Sequence, residues 1–137
     1  MKLCAVIDTN VLISALITKN QNSATVKVMR AVLDGTIIPL FHKDIIAEYE
    51  EVLHRTKFNL QENTIQLIID AIKQYGVEVF PQPSGEILID MDDLIFYEVA
   101  LEKQDNDAYL VTGNLKHYPV RDYIVTPAEM IEIINNN

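Results

Sequence analysis

Carboxylates are the residues through which this chain could do chemistry. Asp8 closes the stretch Val6-Ile7-Asp8, where one apolar segment stops, and Thr9-Asn10 leads at once into another, Val11-Leu12-Ile13. Glu48 sits among the helical-period residues Ile45, Ile46, Tyr49, Val52 and Leu53. At ~100° per residue it lies beside that apolar stripe, while Glu50 and Glu51 point away from it. Asp90, Asp92 and Asp93 crowd together further on. Like charges this close repel unless something positive lies between them. A divalent cation is such a partner, and it could meet a phosphate on the chain's behalf. Each acid also has a plain structural reading. Asp8 could cap a helix, as could Thr9 or Asn10. Glu48 could be a boundary residue whose head reaches water. The Asp90–Asp93 acids could serve a helix N-terminus and its macrodipole. Asp105 and Asp107 read as turn or solvent-facing residues.

The elements that must position these acids alternate along the chain. Lys2 to Ile7 reads as a strand buried on both faces, as do Ile37–Phe41 and Ala108–Thr112. Val77–Phe80 and Tyr123–Val125 read as shorter strands. Helices are predicted from Val11 to Thr18, from a Ser23 cap through Leu33 with Gly35 beyond it, and from Lys43 to about Arg55. Two more run from Glu62 to Tyr75, stopped by Gly76, and from the Asp90–Asp93 acids to Lys103. Thr126-Pro127-Ala128-Glu129 is a capping-box start for a last helix, with fraying at Asn135–Asn137. Pro81, Pro83 and Gly85 mark a loop, and Ile87–Ile89 is left without an element. Alternation of this kind gives an α/β class with a mostly parallel sheet. Ligand sites in such sheets form beyond the C-terminal ends of strands. Asp8 and Asn114 both lie there, so the seam after Ile7 is a strand-to-helix turn at the ligand-binding edge.

Bulk properties narrow the classes. The 137 residues fit a single domain (1–137) with a sizeable core. No apolar run approaches the ~20 residues of a membrane span, and the run ended by Asp8 is too short for a signal-peptide core. The lone Cys4 forbids an intrachain disulfide and reads as a buried core thiol. A soluble, cytoplasmic protein is the expectation. The net charge of −9 argues against nucleic acid, unless clustered acids hold a cation. Basic residues are sparse: Lys19, Lys27 and Arg30 near the second helix, Arg55 and Lys57 after the third, Lys116 and Arg121 around Asn114.

Four blocks carry a resemblance. They are V-I-D-T-N-V-L-I-S (Val6–Ser14), E-Y-E-E-V-L (Glu48–Leu53), D-M-D-D-L-I-F (Asp90–Phe96) and Y-L-V-T-G-N-L-K-H-Y-P (Tyr109–Pro119). In this order they make the sequence resemble the PIN-domain family, in the branch of toxins from toxin–antitoxin pairs. The resemblance implies a three-layer α/β/α sandwich and a metal-dependent ribonuclease. It implies Mg²⁺ or Mn²⁺ held by Asp8, Glu48 and Asp93, which are also the catalytic set, with Asp92 competing for the last place. Where many members have a further aspartate, this chain has Asn114, which removes a charge and argues for one metal rather than two. A carboxylate-bound ion would activate water for in-line attack, so no nucleophilic side chain is needed. Thr9 and Thr112 would orient Asp8, a bound water or the Thr112-Gly113 loop, and Asn10 would touch substrate or hold the turn. Lys116 and His117 would contact phosphate, His117 being equally readable as a plain loop residue. An RNA substrate, an antitoxin partner and a homodimer complete the expectation.

Two other classes compete. Asp8 after a first strand also suits a phosphate-handling enzyme or a receiver domain. The former usually wants a second aspartate where Asn10 stands, and Lys116 is only a loose match for the receiver's lysine. Asn114 and the acidic charge also suit a catalytically degenerate domain that binds RNA or protein without cutting.

Overall fold

A computed structural model describes residues 2–137. Among these described residues, five strands form one parallel sheet in the order β3-β2-β1-β4-β5. They are β1 (Leu3–Ile7), β2 (Ile37–Phe41), β3 (Val77–Glu78), β4 (Tyr109–Val111) and β5 (Ile124–Val125). Six helices complete the fold: α1 (Thr9–Ile17), α2 (Ala24–Asp34), α3 (Lys43–Leu53), α4 (Glu62–Tyr75), α5 (Leu94–Glu102) and α6 (Pro127–Asn135). The architecture is a three-layer α/β/α sandwich, as the alternation predicts. The sheet is wholly parallel.

The central strands are apolar because helices cover both faces. Ala5, Val6, Ile7, Leu110 and Val111 are buried at the middle of the core, and Phe96, Val99 and Ala100 of α5 join them. α5 spans β1, β2 and β4, α2 packs on α1 and α6, and α3 packs on α4 and α5. Among the described residues no helix is long and apolar enough to cross a membrane.

Several element ends differ from the expected ones. α1 starts at Thr9, with Asp8 in the cap position, so neither Thr9 nor Asn10 is the cap. α3 stops at Leu53 and a 3₁₀ turn follows at Thr56–Phe58. The Asp90–Asp93 acids precede α5 in a 3₁₀ turn of their own, Met91–Asp93. β3 is two residues long, because only Leu40 and Phe41 of β2 are there to pair with it. Cys4 is half-buried at the margin of the core rather than sealed inside it. Gly76, which stops α4, fits for a steric reason: a Cβ there would collide with the carbonyl oxygens of Pro39 and Ile72. Ile87 and Ile89 lie exposed in the long loop before α5 while Leu88 between them is buried. That loop is fastened to α5 by the Ser84 amide donating to Glu98 (2.6 Å) and the Gln82 amide to Glu102 (3.0 Å). The α6 capping box is present in both directions, Thr126 with Glu129.

Candidate active site

The strand order reverses between β1 and β4, and crevices at such a reversal are where open α/β sheets bind ligands. Asp8 directly follows β1 and Thr112 directly follows β4. Asp8 is only 5% exposed. Although it stands at the cap position of α1, its carboxylate makes no capping hydrogen bond. Oδ2 instead accepts from the Thr112 hydroxyl (2.8 Å) and from the Tyr118 hydroxyl (2.9 Å). Thr112 is fully buried, and its oxygen in turn accepts the Asn114 amide at 3.0 Å. Burial pushes the Asp8 carboxyl up from its ordinary range, opposed by the two hydroxyls and by the nearby amides of Asn10 and Thr9. Asp8 therefore holds the cap position of α1 while its Oδ2 is turned inward to Thr112 and Tyr118.

Glu48 reaches the same place from α3. Its Oε2 accepts the Thr9 hydroxyl, which ties α3 to the first residue of α1. The next residue, Tyr49, is buried and donates its hydroxyl to the carbonyl of Ile7, the last residue of β1. Two consecutive side chains of α3 are thus fixed to the backbone turn that carries Asp8. Half-buried, the Glu48 carboxyl is raised first by desolvation and then by the charges of Asp8, Asp93 and Asp92, with the Thr9 hydroxyl opposing.

Asp93 ends the 3₁₀ turn that Asp90 caps, the Asp90 carboxylate accepting the Asp92 amide at 3.0 Å. Asp93 is 9% exposed, and its Oδ2 lies 3.1 Å from Nδ1 of His117. With Nδ1–H donating there, Nε2 accepts from the Asn114 side-chain amide at 3.1 Å. Burial and the charge of Asp8 push the Asp93 carboxyl up to about 6, with His117 pulling the other way. Asp92 stays exposed and lines a groove of about 560 Å³ with Glu48, Glu51 and Arg55.

Asp8, Glu48 and Asp93 therefore sit within electrostatic reach of one another, and the charge of Asp92 also raises Glu48. Such an arrangement is unfavourable unless a cation belongs in it. The profile of the PIN domain family matches residues 4–116. The chain belongs to the PIN domain family.

PIN domains are generally nucleases and generally work with Mg²⁺ or Mn²⁺, and family membership places this chain among nucleases at that level. Asp8, Glu48, Asp92, Asp93 and Asn114 all fall in the matched stretch, while His117 and Tyr118 lie just past its end. An uncharacterised protein of Methanocaldococcus jannaschii is 29% identical over 147 aligned positions, covering 96% of this chain and 92% of the relative.

The donor set suits a hard divalent ion in type: carboxylate oxygens that share one site, with the groove's arginine, Arg55, already paired to Glu51. It is not a closed cage. Among the described residues no three His, Cys, Asp or Glu side chains stand close enough to hold an ion by themselves. Mg²⁺ takes one or two carboxylates and keeps several waters, so an open set of this sort fits it better than a structural metal site would.

The remaining expected residues have definite places. Thr9 bonds Glu48 rather than Asp8, and Thr112 bonds Asp8. Asn10 holds the turn, accepting the Gly113 amide at 3.1 Å. Asn114 presents its side chain to His117, and His117 presents its ring to Asp93. Lys116 is exposed on the 3₁₀ turn Leu115–His117. Of the basic residues near the groove, Arg55 pairs with Glu51 (3.1 Å) and Lys57 lies over the Phe58 ring. The sequence reading missed the hydroxyls of Tyr118 and Tyr49. For Tyr118 a signal existed: a tyrosine in a polar loop four residues after Asn114. Tyr49 looked like one more member of the apolar stripe.

Proposed function

We propose that this chain, acting as one domain over residues 1–137, is a metal-dependent endoribonuclease. Asp8, Glu48 and Asp93 would hold Mg²⁺ or Mn²⁺ with bound waters completing its shell, and Asp92 would serve from the rim of the groove. The observation that carries this is Asp8: a buried carboxylate at the strand-order reversal, held by Thr112 and Tyr118, whose charge raises the carboxyls of Glu48 and Asp93. When bound, such an ion supplies Lewis-acid polarisation of a phosphoryl oxygen and a water of lowered pKa. The chain's own residues do the rest. Thr112 and Tyr118 fix the Asp8 carboxylate, Thr9 fixes Glu48, and His117, steadied by Asn114, fixes Asp93. His117 in this role positions a carboxylate rather than gripping phosphate, and Lys116 remains the exposed cation for the substrate backbone. In the cell the protein acts in the cytoplasm as the toxin of a toxin–antitoxin pair and as a homodimer, a reading supported by the family resemblance alone.

The test is cleavage of mixed RNA by wild type in Mg²⁺, Mn²⁺ and EDTA, beside Asp8→Asn. Metal-dependent cleavage that falls at least about a hundredfold in the variant is the expected result, electrostatic groups of this type commonly contributing that much. Cleavage that survives both EDTA and the substitution would remove the carboxylates from the chemistry.

A further inference from the structure

Resting on the reading that Asp8 is a metal ligand, we infer that Tyr118 sets which divalent ion the site prefers. Oδ2 of Asp8 accepts two hydroxyl hydrogen bonds at once, from Thr112 at 2.8 Å and from Tyr118 at 2.9 Å. A carboxylate oxygen has about two lone-pair sites, so this one is filled. Asp8 then has its other oxygen to offer an ion, and its grip is monodentate.

That restriction discriminates between ions. Ca²⁺ takes six to eight oxygens at flexible distances and commonly uses both oxygens of a carboxylate. Mg²⁺ demands a compact octahedron and takes carboxylates one oxygen at a time. Pinning Oδ2 removes a mode of binding that Ca²⁺ uses and Mg²⁺ does not need. The pin is rigid. Thr112 is fully buried and Tyr118 is 6% exposed, and the Thr112 oxygen is itself held by the Asn114 amide. Tyr118 touches neither substrate nor ion; it is a positioning residue acting through Asp8.

The experiment is calorimetric titration of wild type, Tyr118→Phe and Thr112→Val with Mg²⁺, Mn²⁺ and Ca²⁺, without RNA. Circular dichroism accompanies each. Both variants keep the shape of the side chain and free Oδ2 from one bond. The readout is the ratio of Ca²⁺ to Mg²⁺ affinity, which a general loosening of the fold would not move because it weakens both ions alike. Wild type should favour Mg²⁺ and Mn²⁺, and Tyr118→Phe should raise the ratio by about tenfold, the scale of one hydrogen bond to a charged acceptor. Thr112→Val should move it the same way and stands in if Tyr118→Phe does not fold. A folded variant that binds both ions at the wild-type ratio overturns the inference and leaves the nuclease reading intact. A wild type that binds no divalent ion overturns both.

Discussion

At Asp93 the metal-free fold works against itself. The carboxyl titrates at about 6 in the folded chain against an ordinary 3.8. Between those values the folded chain holds a proton that the unfolded chain has released, so stability falls as pH rises through that window. Below the window the group is neutral in both states and costs nothing. Above it the full cost applies, at most about 3 kcal/mol. Asp8 and Glu48 are also raised by burial, and their contributions have the same sign. The EDTA-treated protein should therefore melt at a higher temperature near about pH 5.5 than near about pH 7.5, reversing the usual behaviour of salt-bridged acids. Asp93→Asn should flatten this dependence and melt above wild type at the higher pH, while losing metal binding. Calorimetry across that range decides it: a melting temperature that climbs with pH would mean the three carboxylates ionise without strain.

The elements matter because three of them end at one point. β1 ends at Ile7, α1 begins at Thr9, and α3 is fastened to both through Tyr49 and Glu48. Tyr49→Phe deletes one hydroxyl and leaves the buried Ile7 carbonyl one partner short. A loss of about 1–3 kcal/mol is expected. Because Glu48 is the neighbouring residue, Mn²⁺ affinity should fall by more than Asp93-remote substitutions of equal stability cost would cause. Denaturant melts and Mn²⁺ titration of the same sample separate the two effects, and unchanged Mn²⁺ affinity would reduce Tyr49 to a core residue. Most of this frame was legible in the sequence. The apolar runs of β1 and β2, the 3.6-residue stripe of α4 and the capping box of α6 are local signals, and local signals are what a sequence displays. Asp8 was legible for the same reason, as a charge interrupting two apolar segments. The role of Tyr118 was not, because its bond to Asp8 closes a separation of 110 residues, and a tyrosine in a polar loop does not say which residue it meets. The start of α1 was misplaced because Asp8, at the cap position, spends its side chain elsewhere.

For the molecule as a whole, charge is the problem to solve. Twenty acidic residues face eleven basic ones, a net charge of −9, in a protein proposed to bind a polyanion. Two of the cations near the site are already paired, Arg55 with Glu51 and Arg121 with Glu86. Of the others, Lys116 stands exposed on the turn that carries His117, and Lys57 lies over the Phe58 ring. A protein that neutralises Z phosphates of a single strand shows a log–log salt slope of about −0.7Z, so two such contacts give a slope no steeper than about −1.5. Binding of a non-cleavable RNA should accordingly be weak in EDTA, appear with Mg²⁺ or Mn²⁺, and respond shallowly to added monovalent salt. Fluorescence anisotropy with a labelled oligonucleotide measures all three. A slope of about −4 or steeper, or tight binding in EDTA, would mean that a basic face recruits the RNA and that the carboxylate-held ion is not the bridge. Against a net charge of −9, the proposed attraction for phosphate comes from the ion, and the monovalent-salt slope is where that origin is visible.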